Sequence, residues 1–325
     1  MINGDIAVVM HCREAARLLH TRALLRLGAG DLEGACDDAG ICLRLARRIS
    51  HSATIIGSLV SMAVDSVGAR IIESVVVSHR LTPELAKRFR AEFDTLPPLE
   101  DAADTVDRGE RLVSLDAAQD VAKGTAGGRV SGTPPVMTQG LDRNAMLRAF
   151  NSFYDPHVKA MRLDDYAART EAIADLERNL KASRPALANL VLAYLAGNRS
   201  GITTIVTERL LALLAPSIQM FQAAEDRTVM KTTLTRLGLA LAEYRAVEGE
   251  FPATLDALQP GYVDELPVDF YSGKPLLYRR VEGGFILYAV GPNGKDDGGV
   301  GAGECGTDEC DDIRFGILPS VESAP

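Results

Sequence analysis

The densest run of chemistry-bearing side chains lies between Gly291 and Asp312, where Asp296, Asp297, Glu304, Asp308, Glu309, Asp311 and Asp312 face a single base, Lys295. Like charges at this spacing repel unless a cation neutralises them. Ca²⁺ accepts roughly six to eight oxygens from carboxylates and carbonyls in loose geometry, whereas Mg²⁺ demands a near-ideal octahedron and keeps its waters, so a long acidic loop suits calcium. Gly294, Gly298, Gly299, Gly301 and Gly303 let the backbone turn around an ion and offer carbonyls. The competing reading is a solvated acidic loop, because surface loops are commonly charged. In the same stretch, Cys305 and Cys310 form an even pair across a short flexible span. That spacing predicts a disulfide, and with it an oxidising compartment.

Other candidates are sparse. His11, His20, His51, His79 and His157 have no His or Cys partner at metal-ligand spacing, so zinc is not expected. The chain has no Gly-x-Ser-x-Gly elbow, phosphate loop or dinucleotide fingerprint. Asp164, Asp165 and Glu171 sit at helix starts, where the helix dipole accounts for them. Asn151, Phe153, Tyr154, Asp155 and His157 form a polar and aromatic cluster that could line a groove, but Asp155-Pro156 favours a helix break there. No catalytic residue is expected, and the chain reads as non-enzymatic. A formal net charge of −9, with Lys and Arg scattered among acids, argues against nucleic acid as a partner.

The elements that must position the acidic loop follow from periodicity. Ala16, Leu19, Ala23, Leu24 and Leu27 predict a helix that ends at Gly28-Ala29-Gly30, with a second beginning at Asp31. The string Leu27-Gly28-Ala29-Gly30-Asp31-Leu32-Glu33-Gly34-Ala35 resembles the turn of a tetratricopeptide repeat, in one copy only. Ser52 to Ser78 keeps a polar face and predicts a buried amphipathic helix rather than a span. Thr82-Pro83-Glu84 is a helix start and Leu96-Pro97-Pro98 a stop. Helices are further predicted at Asp101–Val121, Arg143–Lys159 and Asp164–Lys181, with another apolar helix after Arg184-Pro185, and Gly124–Gly140 reads as a linker. Cys12, Cys36 and Cys42 fall in helical sequence as core thiols. Met1–Met10 is short and carries Asp5, so it does not read as a leader or a span, and an opening Met followed by mid-helix sequence is also what a truncated ectodomain looks like.

The last third is the most informative. A helix is predicted over Glu225–Glu248 and stopped by Gly249, then a short capped helix at Phe251–Leu258. Leu276–Val281 and Phe285–Val290 form a hairpin around Glu282-Gly283-Gly284, and a final strand lies at Ile313–Ile317. Within this order stand Ala240-Leu241-Ala242-Glu243-Tyr244-Arg245, Glu250-Phe251-Pro252, Leu255-Asp256-Ala257-Leu258, Leu266-Pro267-Val268-Asp269, Gly273-Lys274-Pro275-Leu276-Leu277-Tyr278 and Tyr288-Ala289-Val290-Gly291-Pro292-Asn293-Gly294-Lys295. In series they resemble the globular domain of type II secretion major pseudopilins. The resemblance implies a calcium loop whose ligands fit Asn293, Asp297, Asp311 and Asp312 best, with Asp296 and Asp308 as further candidates because the insertion around Cys305–Cys310 shifts the register. It does not extend to the leader and uninterrupted apolar half-helix of that family. The nearest stretch, Gly201-Ile202-Thr203-Thr204-Ile205-Val206-Thr207-Glu208-Arg209-Leu210, lies mid-chain with its Glu displaced.

The expected fold is mainly α, a multi-helix N-terminal region with a C-terminal α+β pseudopilin-like module of long helix and small antiparallel sheet. The expected organisation is 1–123 helical, 124–140 linker, 141–224 helical and 225–325 module. The expected role is a calcium-stabilised structural or interaction protein in an extracytoplasmic secretion or cell-surface assembly, with a protein partner and membrane contact only through an anchor outside this chain. The alternatives are a helical adaptor that grips a peptide and an enzyme with a site among the helices.

Overall fold

The computed structural model describes residues 2–52, 54–123, 140–183, 185–305 and 310–316. Its helices are α1 (Ile2–Ala29), α2 (Leu32–Ser50), α3 (Ile55–Val77), α4 (Pro83–Asp94), α5 (Ala102–Asp104), α6 (Arg111–Lys123), α7 (Arg143–Met161), α8 (Tyr166–Ser183), α9 (Leu187–Leu195) and α10 (Arg199–Glu248). Strands follow as β1 (Val268–Asp269), β2 (Lys274–Pro275), β3 (Leu277–Val281), β4 (Gly284–Ala289) and β5 (Ile313–Phe315). The fold is mainly α with a small C-terminal sheet, as expected. The expected linker falls almost wholly on 124–139, outside the described residues.

The chain divides into two compact units, and not along the expected lines. Met1–Ser50, Leu59–Leu99 and Glu225–Pro325 form one unit, while His51–Ser58 and Glu100–Ala224 form the other. The boundary at Glu225 coincides with the expected start of the module, but the first helices belong with that module rather than with the middle of the chain.

In the first unit, α1 packs on α2 through small residues, Ala16 and Ala23 against a row that includes Ala35, Ala39 and Ala46, all nearly or fully buried. Asp38 of α2 is fully buried and accepts from Arg22 at 2.5 Å, with Arg26 at 2.9 Å, so its charge is compensated across the hairpin. At Gly68 a Cβ would lie 2.8 Å from Leu43 Cδ2, which marks the close approach of α3 to α2. As predicted, α3 is a core helix, with Val64, Ile71, Ile72 and Val75 buried. Its Asp65 turns inward to Arg47, which also donates to the carbonyls of Pro97 (3.1 Å) and Leu43 (3.2 Å). Thr82 caps α4 by accepting from the Leu85 N–H, with Pro83 at the first helical position.

These helices enclose the second half of α10. Leu234, Leu237 and Leu241 share one hydrophobic cluster with Leu287, Ala289, Ile313 and Phe315 of the sheet and with Leu43, Ile72, Phe89 and Phe93 of the first helices. Polar ties run the same way. Arg90 donates to Glu243 (2.5 Å) and the Tyr262 carbonyl (3.0 Å), Arg236 to Asp94 (2.9 Å), and Arg245 to the His79 carbonyl (2.9 Å). β3, β4 and β5 form an antiparallel sheet in that order, with Leu277 opposite Tyr288 and Ala289 opposite Ile313. Sequence reasoning missed the β1–β2 ladder, in which Val268 faces Pro275 and Asp269 faces Lys274. The short helix is a single 3-10 turn at Leu255–Leu258, without a side-chain cap.

In the second unit a π-helical turn at Thr105–Glu110 joins α5 to α6 where one helix was expected. The expected break at Asp155-Pro156 does not occur, and α7 runs through Pro156 to Met161. A helix-interior proline costs about 3 kcal/mol, and the burial of Phe150, Phe153, Tyr154, His157, Val158 and Met161 along α7 outweighs it. The expected helix start at Glu225 is likewise replaced. That segment continues α10, which begins at Arg199 and accommodates Pro216, because the Ala- and Leu-rich sequence before it carries no glycine stop.

Candidate metal centre

The β4–β5 pairing closes the acidic loop. Ala289 lies opposite Ile313, so the residues that follow β4 and those that precede β5 meet side by side at the sheet end. Only glycine fits at 291, where a Cβ would stand 2.1 Å from the Asp311 carbonyl oxygen. Consecutive positive φ angles at Gly298 (71°) and Gly299 (85°) fold the loop back over the same point.

Backbone N–H groups then aim three carboxylates at one another. Asp311 Oδ2 accepts from the Asn293 N–H at 3.0 Å. Asp297 Oδ2 accepts from the Asp311 N–H and from Asn293 Nδ2, both at 3.1 Å. Asp312 Oδ2 accepts from Asp297 N–H at 3.0 Å and Gly299 N–H at 2.8 Å. One oxygen from each of Asp297, Asp311 and Asp312 lies within 4.8 Å of the others. Asp311 Oδ1 and Asp312 Oδ1 are both shut off from solvent without a hydrogen-bond partner, and Asp312 is only 4% exposed. Burial pushes the Asp312 carboxyl up to about 6, against its two backbone donors and with the help of the Asp297 and Asp296 charges. Burial also raises Asp311, opposed by the Asn293 N–H and reinforced by Asp297. Neighbouring carboxylates that are half-buried at Asp297 and Asp311 and buried at Asp312, with the Oδ1 atoms of Asp311 and Asp312 left unpartnered, form a hard-oxygen donor set of the kind divalent cations complete.

The remaining expected ligands are placed differently. Asp296 accepts from the Tyr288 hydroxyl (2.9 Å) and the Gly298 N–H (3.0 Å), which holds it beside the cluster rather than in it. Asn293 enters through its hydrogen bonds to Asp311 and Asp297. Asp308 lies outside the described residues. Glu304 is engaged by the Arg314 guanidinium at both oxygens, and that bond holds its carboxyl below the usual range. The loop is therefore less unbalanced than Lys295 alone implied, since β5 supplies a second base. Cys305 and Cys310 are joined as a disulfide, with a Cα–Cα distance of 6.1 Å.

Asp269 went unrecognised as a site residue. It is 2% exposed, and its carboxylate accepts from the Tyr271 N–H (2.9 Å), the Ser272 hydroxyl (2.8 Å) and the Val290 N–H (3.1 Å). It ties the β1–β2 turn to the residue that opens the acidic loop. The only sequence signal was its place in Leu266-Pro267-Val268-Asp269.

The sites expected of an enzyme or an adaptor carry internal partners. Tyr154 shares a hydrogen bond with Ser114 (2.7 Å), Asp155 pairs with Arg111 (2.8 Å), and His157 Nδ1 meets the Phe153 carbonyl (2.7 Å). A groove of about 620 Å³ in the first unit is lined by Arg90, Asp94, Arg236, Tyr262, Asp264 and Glu265, but Arg90 and Arg236 are committed to the ion pairs described above. Comparison of the chain with protein-family models, curated proteins and solved structures gives no match.

Proposed function

We propose that the first unit carries a calcium-stabilised module, and that the chain serves as a non-enzymatic structural or interaction protein of an extracytoplasmic assembly. The observation that carries the calcium reading is Asp312 Oδ1, buried and unpartnered beside the Asp297 and Asp311 oxygens. A buried carboxylate oxygen without a donor costs free energy that a cation returns. The disulfide favours an oxidising compartment. The resemblance of residues 225–317 to secretion pseudopilins favours a secretion or cell-surface assembly, and a protein as its partner.

Calorimetric titration of chelator-treated protein tests the reading. Calcium should bind, and at about 100 times its dissociation constant should add about 2.7 kcal/mol of stability, a shift of several degrees in the melting temperature. Magnesium should do much less. No heat and no melting shift with millimolar calcium, or an equal response to magnesium, would sink the proposal.

A further inference from the structure

We infer that the Cys305–Cys310 disulfide makes the Asp297–Asp311–Asp312 cluster a thiol-responsive cation site, which binds tightly when the bridge is closed and weakly when it is open. The inference rests on the calcium reading above and adds its regulation.

The cross-link lies between two anchors. On one side Glu304, adjacent to Cys305, is clamped at both oxygens by Arg314 of β5 and accepts from the Gly301 N–H at 3.1 Å. On the other, Cys310 directly precedes Asp311 and Asp312, and the Asp311 N–H donates to Asp297. The bridge thus ties an anchored residue to the residue that introduces two of the three carboxylates. Their mutual repulsion favours letting the segment swing away, and the cross-link restricts that motion before any ion arrives. Opening it returns conformational freedom to the chain, which a binding ion must then remove.

Opening requires a dithiol reductant. One of its thiolates attacks a sulfur of the bridge, the S–S bond breaks, and a mixed disulfide forms as the other cysteine leaves as thiolate. The second thiol of the reagent displaces the remaining cysteine. Two electrons pass to the protein, the two cysteines end protonated, and the reagent ends as a disulfide. The response belongs to this pair, because Cys12, Cys36 and Cys42 are already free thiols and offer a reductant no bond to break.

The test is calcium titration of the chelator-treated full chain, oxidised, dithiol-reduced and reoxidised in the same sample, beside Cys305→Ser/Cys310→Ser without reductant. Counting thiols in the denatured protein should give three before reduction and five after. Reduction and the double variant should each weaken calcium binding by about tenfold or more, and reoxidation should restore it. Equal affinity in both redox forms would overturn the regulation and leave the calcium reading standing. Absence of binding in the oxidised form would overturn both.

Discussion

Asp269 and Asp312 are both buried aspartates at the same end of the sheet, yet only Asp269 has its carboxylate satisfied on both oxygens. Hydrogen bonds to a charged group contribute about 1.5–3 kcal/mol each, and the bonds of Asp269 have no rival ligand. Asp269→Ala should therefore lower stability by about 3 kcal/mol in urea titration, with or without calcium. Asp312 should behave oppositely. Replacing it with Asn removes a buried charge and places an amide donor against Asp297 and Asp311, so Asp312→Asn should raise the melting temperature of chelator-treated protein while abolishing the calcium response. A loss of stability without calcium would assign Asp312 a structural role instead. In the second unit, burial lowers the pKa of His157, against the Phe153 carbonyl that favours the protonated ring. Its unfolded pKa lies near 6.5, so below that pH the unfolded chain binds the proton more readily and stability falls down to the folded pKa. Because protonation of Asp312 near pH 6 acts in the opposite sense, the measurement is the difference between denaturation curves of the unaltered protein and His157→Gln from about pH 8 to 5, in which the His157 decline should appear.

At the scale of elements, the decisive contact is between α10 and the last strand. A Cβ at Gly238 would lie 2.5 Å from the Phe315 ring, which is 3% exposed and has no room to swing. In an open helix face Gly→Ala gains about 1 kcal/mol, but overpacking a filled core costs about 1–3 kcal/mol. Gly238→Ala should thus destabilise, and Phe315→Leu in the same chain should recover part of the loss; thermal melts of the two variants decide it. A more stable Gly238→Ala protein would show that β5 does not seat against α10. Helix limits set by local chemistry, such as the Thr82 cap, the Gly249 stop and the hairpin at Glu282-Gly283, were legible from a few neighbouring residues. The passage of α7 through Pro156 and of α10 through Glu225 was not. There, burial of residues distant in sequence outweighs a local breaker or carries the helix past an expected start.

At the scale of the whole molecule, the α+β module shares its hydrophobic core with the first hundred residues. Residues 225–325 expressed alone would expose Leu234, Leu237 and Leu241 on the sides that Leu43, Ile72 and Phe89 cover. That fragment should lack a cooperative unfolding transition, and the addition of residues 1–99 in trans should restore structure, read by circular dichroism and amide exchange. A cooperatively folded fragment would return the module to independence. The sequence by itself determined what depends on composition and near neighbours: a mainly helical chain, a short antiparallel sheet at its end, a glycine-rich acidic loop and a cysteine pair within it. Tertiary structure alone decided which carboxylates converge, because the β4–β5 register and the Gly291–Asp311 approach bring 297 beside 311 and 312 while Tyr288 holds Asp296 aside and Arg314 takes Glu304. It also decided which helices cover the module. Contacts across 150 residues, such as Arg90 with Glu243 at a separation of 153, obey shape and charge complementarity that no local period encodes.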